Sequence, residues 1–197
     1  MRLMNRRAAL PLLAAATLVG CTSPNPALYT LAPVPGRAEA GGPRTVVLHQ
    51  VSIARYLERP EIVRSSENYR LDVEANENWG EPLAPMIGRV LSTNLSQRLP
   101  GTTVYSSTGA ISVPENASVE VNIDRMDKNA AGALDFSAQA AVEFTSNHRT
   151  ATRTLQTTVP IASITTGDEV RAMSIAIGQL ADVIADMLRE SPAARRP

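Results

Sequence analysis

The chain has 197 residues and a balanced charge, with 19 lysines and arginines against 19 aspartates and glutamates. This length allows one domain with a buried core. The balanced charge argues against the basic face that nucleic-acid-binding proteins need. We therefore predict no nucleic-acid partner, one folded domain over residues 44–191 and a short C-terminal tail over residues 192–197.

The first part of the chain is predicted to be a secretory signal peptide, residues 1–20. Arg2, Arg6 and Arg7 precede an uncharged, mainly apolar run over residues 8–19, which is the pattern of such signals. The run is too short for a membrane-spanning helix, which needs about 20 apolar residues. General secretory export and twin-arginine export both stay open, because the arginine pair lies among residues that fit the second route poorly.

The signal ends in Leu18-Val19-Gly20-Cys21, which resembles the lipobox of bacterial lipoproteins. The resemblance implies a diacylglyceryl thioether on Cys21, cleavage before it, and acylation of the new amine, typically by palmitate. Cys21 is the only cysteine of the chain, so no intramolecular disulfide can form. The alternative is a secreted protein with one free thiol. Thr22 stands where aspartate would favour the inner membrane in enteric bacteria, so we predict the periplasmic face of the outer membrane, with a mature net charge of −3.

The segment over residues 21–43 is predicted to be a lipidated tether. It is rich in Pro, Gly, Ala and Ser, and such a composition does not bury enough apolar surface to fold. An apolar island at residues 28–31 could pair as an edge strand. Residues 45–51 are mostly β-branched and apolar, which predicts a buried strand. Residues 62–64 and 69–73 flank a polar turn and predict a hairpin at one side of a sheet.

Two stretches have apolar residues at steps of three and four, which predicts amphipathic helices. The first lies between residues 81 and 99 and is bounded by Pro82 and Pro100-Gly101. Its apolar stripe is Leu83, Met86, Ile87, Val90, Leu91 and Leu95. The second stripe is Val170, Met173, Ile177, Leu180, Ile184 and Leu188.

Between the helices the pattern changes to alternation. A short strand at Val104 is followed by alternating apolar and polar residues over 119–124 and 134–144, and by a threonine-rich run over 149–159. Period-two alternation is typical of antiparallel strands with one buried face. The predicted fold class is therefore α/β of the α+β type: a two-layer sandwich of a mainly antiparallel sheet with both amphipathic helices on one face.

The chain contains no phosphate-binding loop, no Gly-x-Ser-x-Gly elbow and no His-Glu-x-x-His motif. His49 and His148 are the only histidines, and neither has an identified partner for acid–base chemistry. We predict that the protein is not an enzyme and has no cofactor and no metal site.

Two segments have compositions that a generic fold of this class does not require. They are Tyr56-Leu57-Glu58-Arg59-Pro60-Glu61-Ile62-Val63-Arg64 and Asn78-Trp79-Gly80-Glu81-Pro82-Leu83. In these segments, and in Tyr29-Thr30-Leu31, the sequence resembles the PqiC (YmbA-like) family of ABC-transport auxiliary lipoproteins.

The resemblance implies a non-catalytic docking or assembly subunit of an envelope lipid-transport system that supports membrane integrity. It implies an MCE-domain protein that spans the periplasm as partner, and a ring-like homo-oligomer. A periplasmic lipoprotein that binds a lipid or amphiphile is the first alternative, and an envelope hydrolase is the second.

The motif residues themselves leave two roles open. They could shape the fold, or they could also form a surface for a subunit or partner, where Trp and Arg are enriched. The candidate interface residues are Tyr56, Arg59, Pro60, Arg64, Trp79 and Glu81.

Overall fold

The computed structural model describes residues 25–111 and 113–190. The strands are β1 (Ala27–Tyr29), β2 (Thr45–Leu48), β3 (Ser52–Ile53), β4 (Glu61–Ser65), β5 (Asp72–Trp79), β6 (Thr103–Ser106), β7 (Ala117–Lys128), β8 (Leu134–Phe144) and β9 (Arg149–Val159). The helices are α1 (Leu83–Arg98) and α2 (Thr166–Arg189), and two 3-10 turns cover Arg55–Leu57 and Glu67–Tyr69. The predicted signal peptide, Cys21 and the predicted tail over residues 192–197 lie outside the described residues.

The larger sheet has the strand order β6-β2-β7-β8-β9, and β3 pairs with β7 beyond the end of β2. The predicted meander is present, since β7, β8 and β9 are antiparallel neighbours. The alternation has the expected effect: Phe136 and Val142 are buried, whereas Gln139 and Glu143 are exposed. The sheet is nevertheless mixed, because β2 is parallel to both β6 and β7.

The strand predicted over residues 45–51 is shorter in the structure, because β2 ends at Leu48 and the next strand, β3, begins at Ser52, just beyond the predicted range. Leu48 lies opposite Val119 and Ser52 lies opposite Asn122, so three residues between the two strands face only two residues of β7. One extra residue in a strand bends it and interrupts its ladder. An apolar run does not reveal such an irregularity, because Val51 is still buried.

The predicted hairpin is confirmed as the antiparallel pair β4–β5, but its place in the fold differs from the expectation. It belongs to a separate three-stranded sheet of order β1-β5-β4. The apolar island pairs at an edge as predicted: β1 runs parallel to β5, with Tyr29 opposite Trp79. Strand β5 is therefore the middle strand of this sheet.

Both helices pack on the larger sheet. Helix α2 contacts β8 and β9, and α1 contacts α2 and β6. All twelve apolar residues of the two predicted stripes are buried. Helix α1 begins after Pro82, whereas the side chain of Thr165 caps α2 by accepting a hydrogen bond from the backbone N–H of Asp168. The two-layer arrangement of two helices and mixed strands agrees with the predicted class.

A segment that we name the N-terminal strap, residues 30–39, differs from the predicted tether because it is packed against the helices. The side chain of Leu31 is only 2% exposed. The backbone N–H of Val34 donates to Asn94 Oδ1 at 2.9 Å. An extended segment without a strand partner can be ordered in this way, since helix side chains satisfy its backbone groups.

Arg98, at the end of α1, holds the strap in place. Its side chain is 2% exposed, and its Nε lies 2.6 Å from Asp182 Oδ1 of α2. The two Nη atoms donate to the carbonyls of Val34, at 3.0 Å, and Gly178, at 3.1 Å. A Cβ at Gly36 would lie 2.2 Å from Arg98 Cζ, so only glycine fits there. A buried guanidinium is stable only with such a full set of partners.

We predict that Arg98→Met lowers the free energy of unfolding by about 2–4 kcal/mol, because it leaves buried carbonyls without donors and removes the ionic link to Asp182. Chemical denaturation measures the loss, and hydrogen exchange should speed up in residues 31–39. The matched control is Arg89→Met on the same helix, where Arg89 is 54% exposed beside Glu81; its cost should stay below about 1 kcal/mol. Equal losses in both variants would contradict the role of Arg98.

Candidate functional site

The two motifs of the sequence meet at the corner where β5 turns into α1. The backbone N–H of Trp79 donates to the carbonyl of Pro60 at 2.7 Å, and the N–H of Gly80 donates to the carbonyl of Tyr29 at 2.8 Å. Pro82 then occupies the position directly before the first residue of α1, without a side-chain capping hydrogen bond. These bonds place the start of β4, the end of β5 and the first turn of α1 side by side.

A mainly apolar groove of about 420 Å³ opens at this corner, and we name it the Trp79 groove. Its apolar lining consists of Ile53, Pro60, Trp79, Pro82, Leu83, Ala84 and Pro85. The charged residues Glu58, Arg59 and Glu81 also line it. Proline and tryptophan side chains lose little conformational entropy on binding, so the groove presents a stiff apolar surface.

Two of the charged residues of the groove, Arg59 and Glu81, pair with neighbouring residues and not with each other. Arg59 Nε lies 3.1 Å from Glu61 Oε2, and both side chains are more than one third exposed. Glu81 pairs with Arg89 of α1. The hydrogen bond from its own backbone N–H, followed by that from Arg59, holds the pKa of Glu61 below its usual value. These exposed pairs keep the charges at the groove while contributing little to stability.

Tyr56 lies elsewhere, in a buried polar group that we name the Asp127 cluster. Asp127 is 0% exposed and accepts hydrogen bonds from the hydroxyls of Tyr56, at 2.8 Å, and Ser66, at 2.7 Å. Arg125 Nε lies 2.9 Å from its other oxygen, and Arg125 also binds Glu67. Burial, followed by the bond to Asp127, raises the pKa of Tyr56 well above its usual value. Its phenol therefore stays protonated and serves as a donor.

The Asp127 cluster depends on a bulge in β7. Ile123 and Arg125 pair with consecutive residues of β8, so Asp124 is one residue too many. After the extra residue, each side chain of β7 lies on the face opposite to the one that regular alternation would give it. Met126 is therefore buried beneath the helices, and Asp127 points to the other face, where the 3-10 turns cover it. A regular strand would have placed Asp127 on the same face as Ile123, in the apolar core.

Arg64 has a third location, on β4. Its Nη2 lies 2.5 Å from Glu74 Oε1 of β5 and donates to the carbonyl of Ile164 at 3.4 Å. Ile164 comes directly before the cap of α2. Arg64 therefore connects the smaller sheet to the start of α2, which is a structural role.

Glu169, in the first turn of α2, is a buried acid close to these charges. The residue is 2% exposed, and its Oε1 has no hydrogen-bond partner among the described residues. Burial is the main cause that raises the pKa of Glu169 to about 7, while the charges of Lys128 and Arg64 act in the opposite direction. The group therefore titrates close to neutral pH.

The structure thus divides the six predicted interface residues. Arg59, Pro60, Trp79 and Glu81 line one groove, whereas Tyr56 and Arg64 hold parts of the fold together. Sequence reasoning missed Asp127 and its partner Arg125. The one available signal was the step of three between the apolar residues Ile123 and Met126, which breaks the alternation.

Known proteins are similar to this chain in sequence pattern and in fold. Residues 29–185 match the family model of the ABC-type transport auxiliary lipoprotein component. A crystal structure of a protein described only as uncharacterized is 18% identical, with a TM-score of 0.69 over 83% of this chain and 99% of that chain. A Xanthomonas campestris protein of family DUF330 is 18% identical, with a TM-score of 0.60 over 82% of this chain and 94% of that chain. At these identities the two structures show the fold alone. No curated protein matches.

We predict that the titration of Glu169 makes the protein less stable as the pH rises. The folded pKa of about 7 lies above the ordinary value of 4.5, so between these pH values the folded state holds a proton that the unfolded state releases. The free energy of unfolding should therefore fall across this window, by an amount on the order of 2 kcal/mol.

The measurement is urea denaturation at pH 4.5, 6 and 7.5 for the native chain and Glu169→Gln. The glutamine variant should lose less stability across the window and be the more stable protein at pH 7.5. The control is Glu120→Gln, since Glu120 is exposed on β7 and should leave the pH profile unchanged. Parallel profiles of the native chain and Glu169→Gln would contradict the prediction.

Proposed function

The chain belongs to the family of ABC-type transport auxiliary lipoprotein components, and from this premise we propose that it is a docking and assembly subunit of an envelope lipid-transport system. In this proposal Cys21 carries the lipid anchor at the periplasmic face of the outer membrane. The protein forms a ring-like homo-oligomer and binds an MCE-domain protein that spans the periplasm. The family description is that of an auxiliary transport component, and the proposed role is non-catalytic.

The Trp79 groove is the observation that carries this proposal. Trp79 is only 7% exposed, so its burial by itself is compatible with a purely structural role. The side chains of Arg59 and Glu81, in contrast, are 35% and 40% exposed at the mouth of an apolar surface. Protein interfaces combine an apolar centre with a polar rim in this way, and arginine and tryptophan are among the residues that dominate binding energy.

The groove also favours a second candidate, the binding of a lipid or amphiphile. A cavity of about 420 Å³ lies within the range of about 300–1,000 Å³ that small-molecule sites occupy. Phospholipid that co-purifies with the detergent-washed chain and is displaced by a larger residue at Ala84 would favour this candidate. An MCE-domain protein captured from membranes would favour docking.

The proposed anchor leads to a prediction for Cys21→Ser. A thioether requires sulfur, so the serine variant should accumulate as an uncleaved precursor or as a protein without lipid. Metabolic labelling with a radioactive fatty acid checks this, with the native chain as the positive control. If the serine variant takes up the label as the native chain does, Cys21 is not the lipidation site.

The proposed docking surface leads to a prediction for Arg59→Glu. Charge reversal places a negative charge at the groove, where it repels the acidic group of the partner with which Arg59 would pair. We therefore expect at least a tenfold weaker capture of the MCE-domain partner from membranes. The melting temperature should change by only a few degrees, because the pair between Arg59 and Glu61 is partly exposed. A tagged chain used in pull-down and thermal melting gives both readouts.

The matched control is Arg171→Glu. Arg171 is 75% exposed on α2 and does not line the groove, so capture should be unchanged. If Arg59→Glu lowers the melting temperature sharply, Arg59 belongs to the fold. If both variants capture the partner as well as the native chain, the groove is not the docking surface.

A further inference from the structure

The turn between β4 and β5, which we name the hairpin tip (residues 66–71), exposes apolar side chains. Tyr69 is fully exposed and Leu71 is 41% exposed. Ile164, which is 90% exposed, lies at the same end of the domain, since its carbonyl accepts a hydrogen bond from Arg64 of β4. Single exposed apolar residues are common on protein surfaces. Three of them at one end of the domain indicate an interaction surface.

The backbone of the hairpin tip holds the ring of Tyr69 away from the domain. Asn68 and Tyr69 have φ angles of 56° and 62°, in the left-handed region that an aromatic residue rarely adopts. The base of the tip is fixed, because Ser66 donates to Asp127 at 2.7 Å and Glu67 accepts a hydrogen bond at 2.7 Å from the arginine of the Asp127 cluster. An unfavourable backbone geometry that exposes an aromatic ring points to a role outside the fold.

Strand β1 shows from which side the chain that leads back to Cys21 enters the domain. It is parallel to β5, with Ala27 opposite Glu77, and β5 starts at Asp72, directly after the hairpin tip. The chain therefore enters β1 from the side of the tip. Six residue steps separate Cys21 from Ala27, and five separate Asp72 from Glu77. By covalent geometry alone, the chain is long enough to bring Cys21 level with the tip.

We propose that the hairpin tip sits in the headgroup region of the lipid bilayer that holds the lipid of Cys21, with Tyr69, Leu71 and Ile164 as contact residues. Tyrosine is enriched at this level of a membrane, because its ring is apolar and its hydroxyl can bond to headgroups or water. Leucine and isoleucine add apolar area that the lipid buries. Arg70, exposed on the same turn, can donate to phosphate oxygens.

This inference rests on the proposed anchor at Cys21 but not on the proposed docking partner. Strand β5 leads from the tip to Trp79 over seven residue steps, up to about 24 Å. The Trp79 groove therefore lies at the end of β5 that points away from the lipid. In the proposed ring every copy presents its tip to the same side, so weak contacts of single tips act together.

The test compares two exposed turns in the lipid-bearing protein, isolated from membranes and placed in phosphatidylcholine vesicles. Tyr69→Trp adds a tryptophan at the tip, and His148→Trp adds one at the turn between β8 and β9. The sites are matched, because His148 also has a positive φ, 50°, and an 83% exposed side chain. They lie at opposite ends of β8. Arg125 joins the tip to Asp135 near the start of β8, whereas His148 follows its end.

Bromine on the lipid acyl chains quenches only tryptophans that are close to it. We expect the added tryptophan of Tyr69→Trp to be quenched at least threefold more than that of His148→Trp, and more by bromine near the headgroup than by bromine near the chain end. Trp79, the only native tryptophan, supplies the background, which the native chain measures. The thermal melt of Tyr69→Trp should equal that of the native chain, since Tyr69 is fully exposed. Quenching at residue 69 that does not exceed that at residue 148 overturns the inference and assigns the exposed residues to a protein contact.

Two further readouts separate this inference from the proposed function. Mass spectrometry of the Cys21 peptide shows whether the lipid is present, and capture of the MCE-domain partner by Tyr69→Trp should equal capture by the native chain. Lipid on Cys21 without quenching at residue 69 overturns the inference and leaves the anchor standing. Quenching at residue 69 without lipid on Cys21 supports the inference and contradicts the anchor, and the absence of both overturns the two together.

Discussion

The buried guanidinium of Arg98 connects three parts of the chain that are distant in sequence. It binds the carbonyl of Val34, the carboxylate of Asp182 and the carbonyl of Gly178. Because of these bonds, the strap lies across α1 and α2 and not in solvent. The strap follows β1 directly, so the same contacts hold β1 beside β5. Strand β1 in turn contacts the corner of the Trp79 groove through the hydrogen bond from Gly80 N–H to the carbonyl of Tyr29, whereas Arg98 lies at the opposite end of α1.

A continuous sequence motif contributes to two different parts of the structure. Within nine residues, Tyr56 and Arg64 hold the smaller sheet against the larger sheet and the start of α2, while Arg59 and Pro60 line the groove. The residues at the ends of the motif thus stabilise the fold, and the residues in its middle line the Trp79 groove. A substitution in this segment can impair function by either route, so measurements of binding need a parallel measurement of stability.

The regular parts of the fold were predictable because each has a repeating pattern. The apolar stripes of both helices and the alternation in β8 identify the buried faces correctly, and the resemblance of the motifs pointed to the family. The strap was missed since its order comes from Asn94 and Arg98, polar residues that no periodicity assigns to a partner. The bulge at Asp124 was missed for a related reason. One extra residue turns the side chain of Asp127 to the other face of the sheet, but the alternation of buried and exposed residues on each side of the bulge is unchanged.

The site was predictable only in part. Four of the six proposed interface residues meet at the groove, because each lies close to the corner between β5 and α1. The burial of Asp127 depends on a hydroxyl from a 3-10 turn 71 residues earlier in the chain. Sequence spacing alone contains no information about such long-range polar contacts.

The docking of β1 against β5 has a consequence for the proposed lipid anchor at Cys21. If Cys21 carries the lipid, the six residue steps from it to Ala27 span about 20 Å at most, by covalent geometry alone. A free segment through residue 43 would have reached about 75 Å. In that case the domain stays close to the bilayer surface, because the segment that joins it to the lipid is short. Since Tyr29 lies opposite Trp79, a partner that occupies the groove must itself come to within a few tens of ångströms of the lipid headgroups, so the reach must come from the partner.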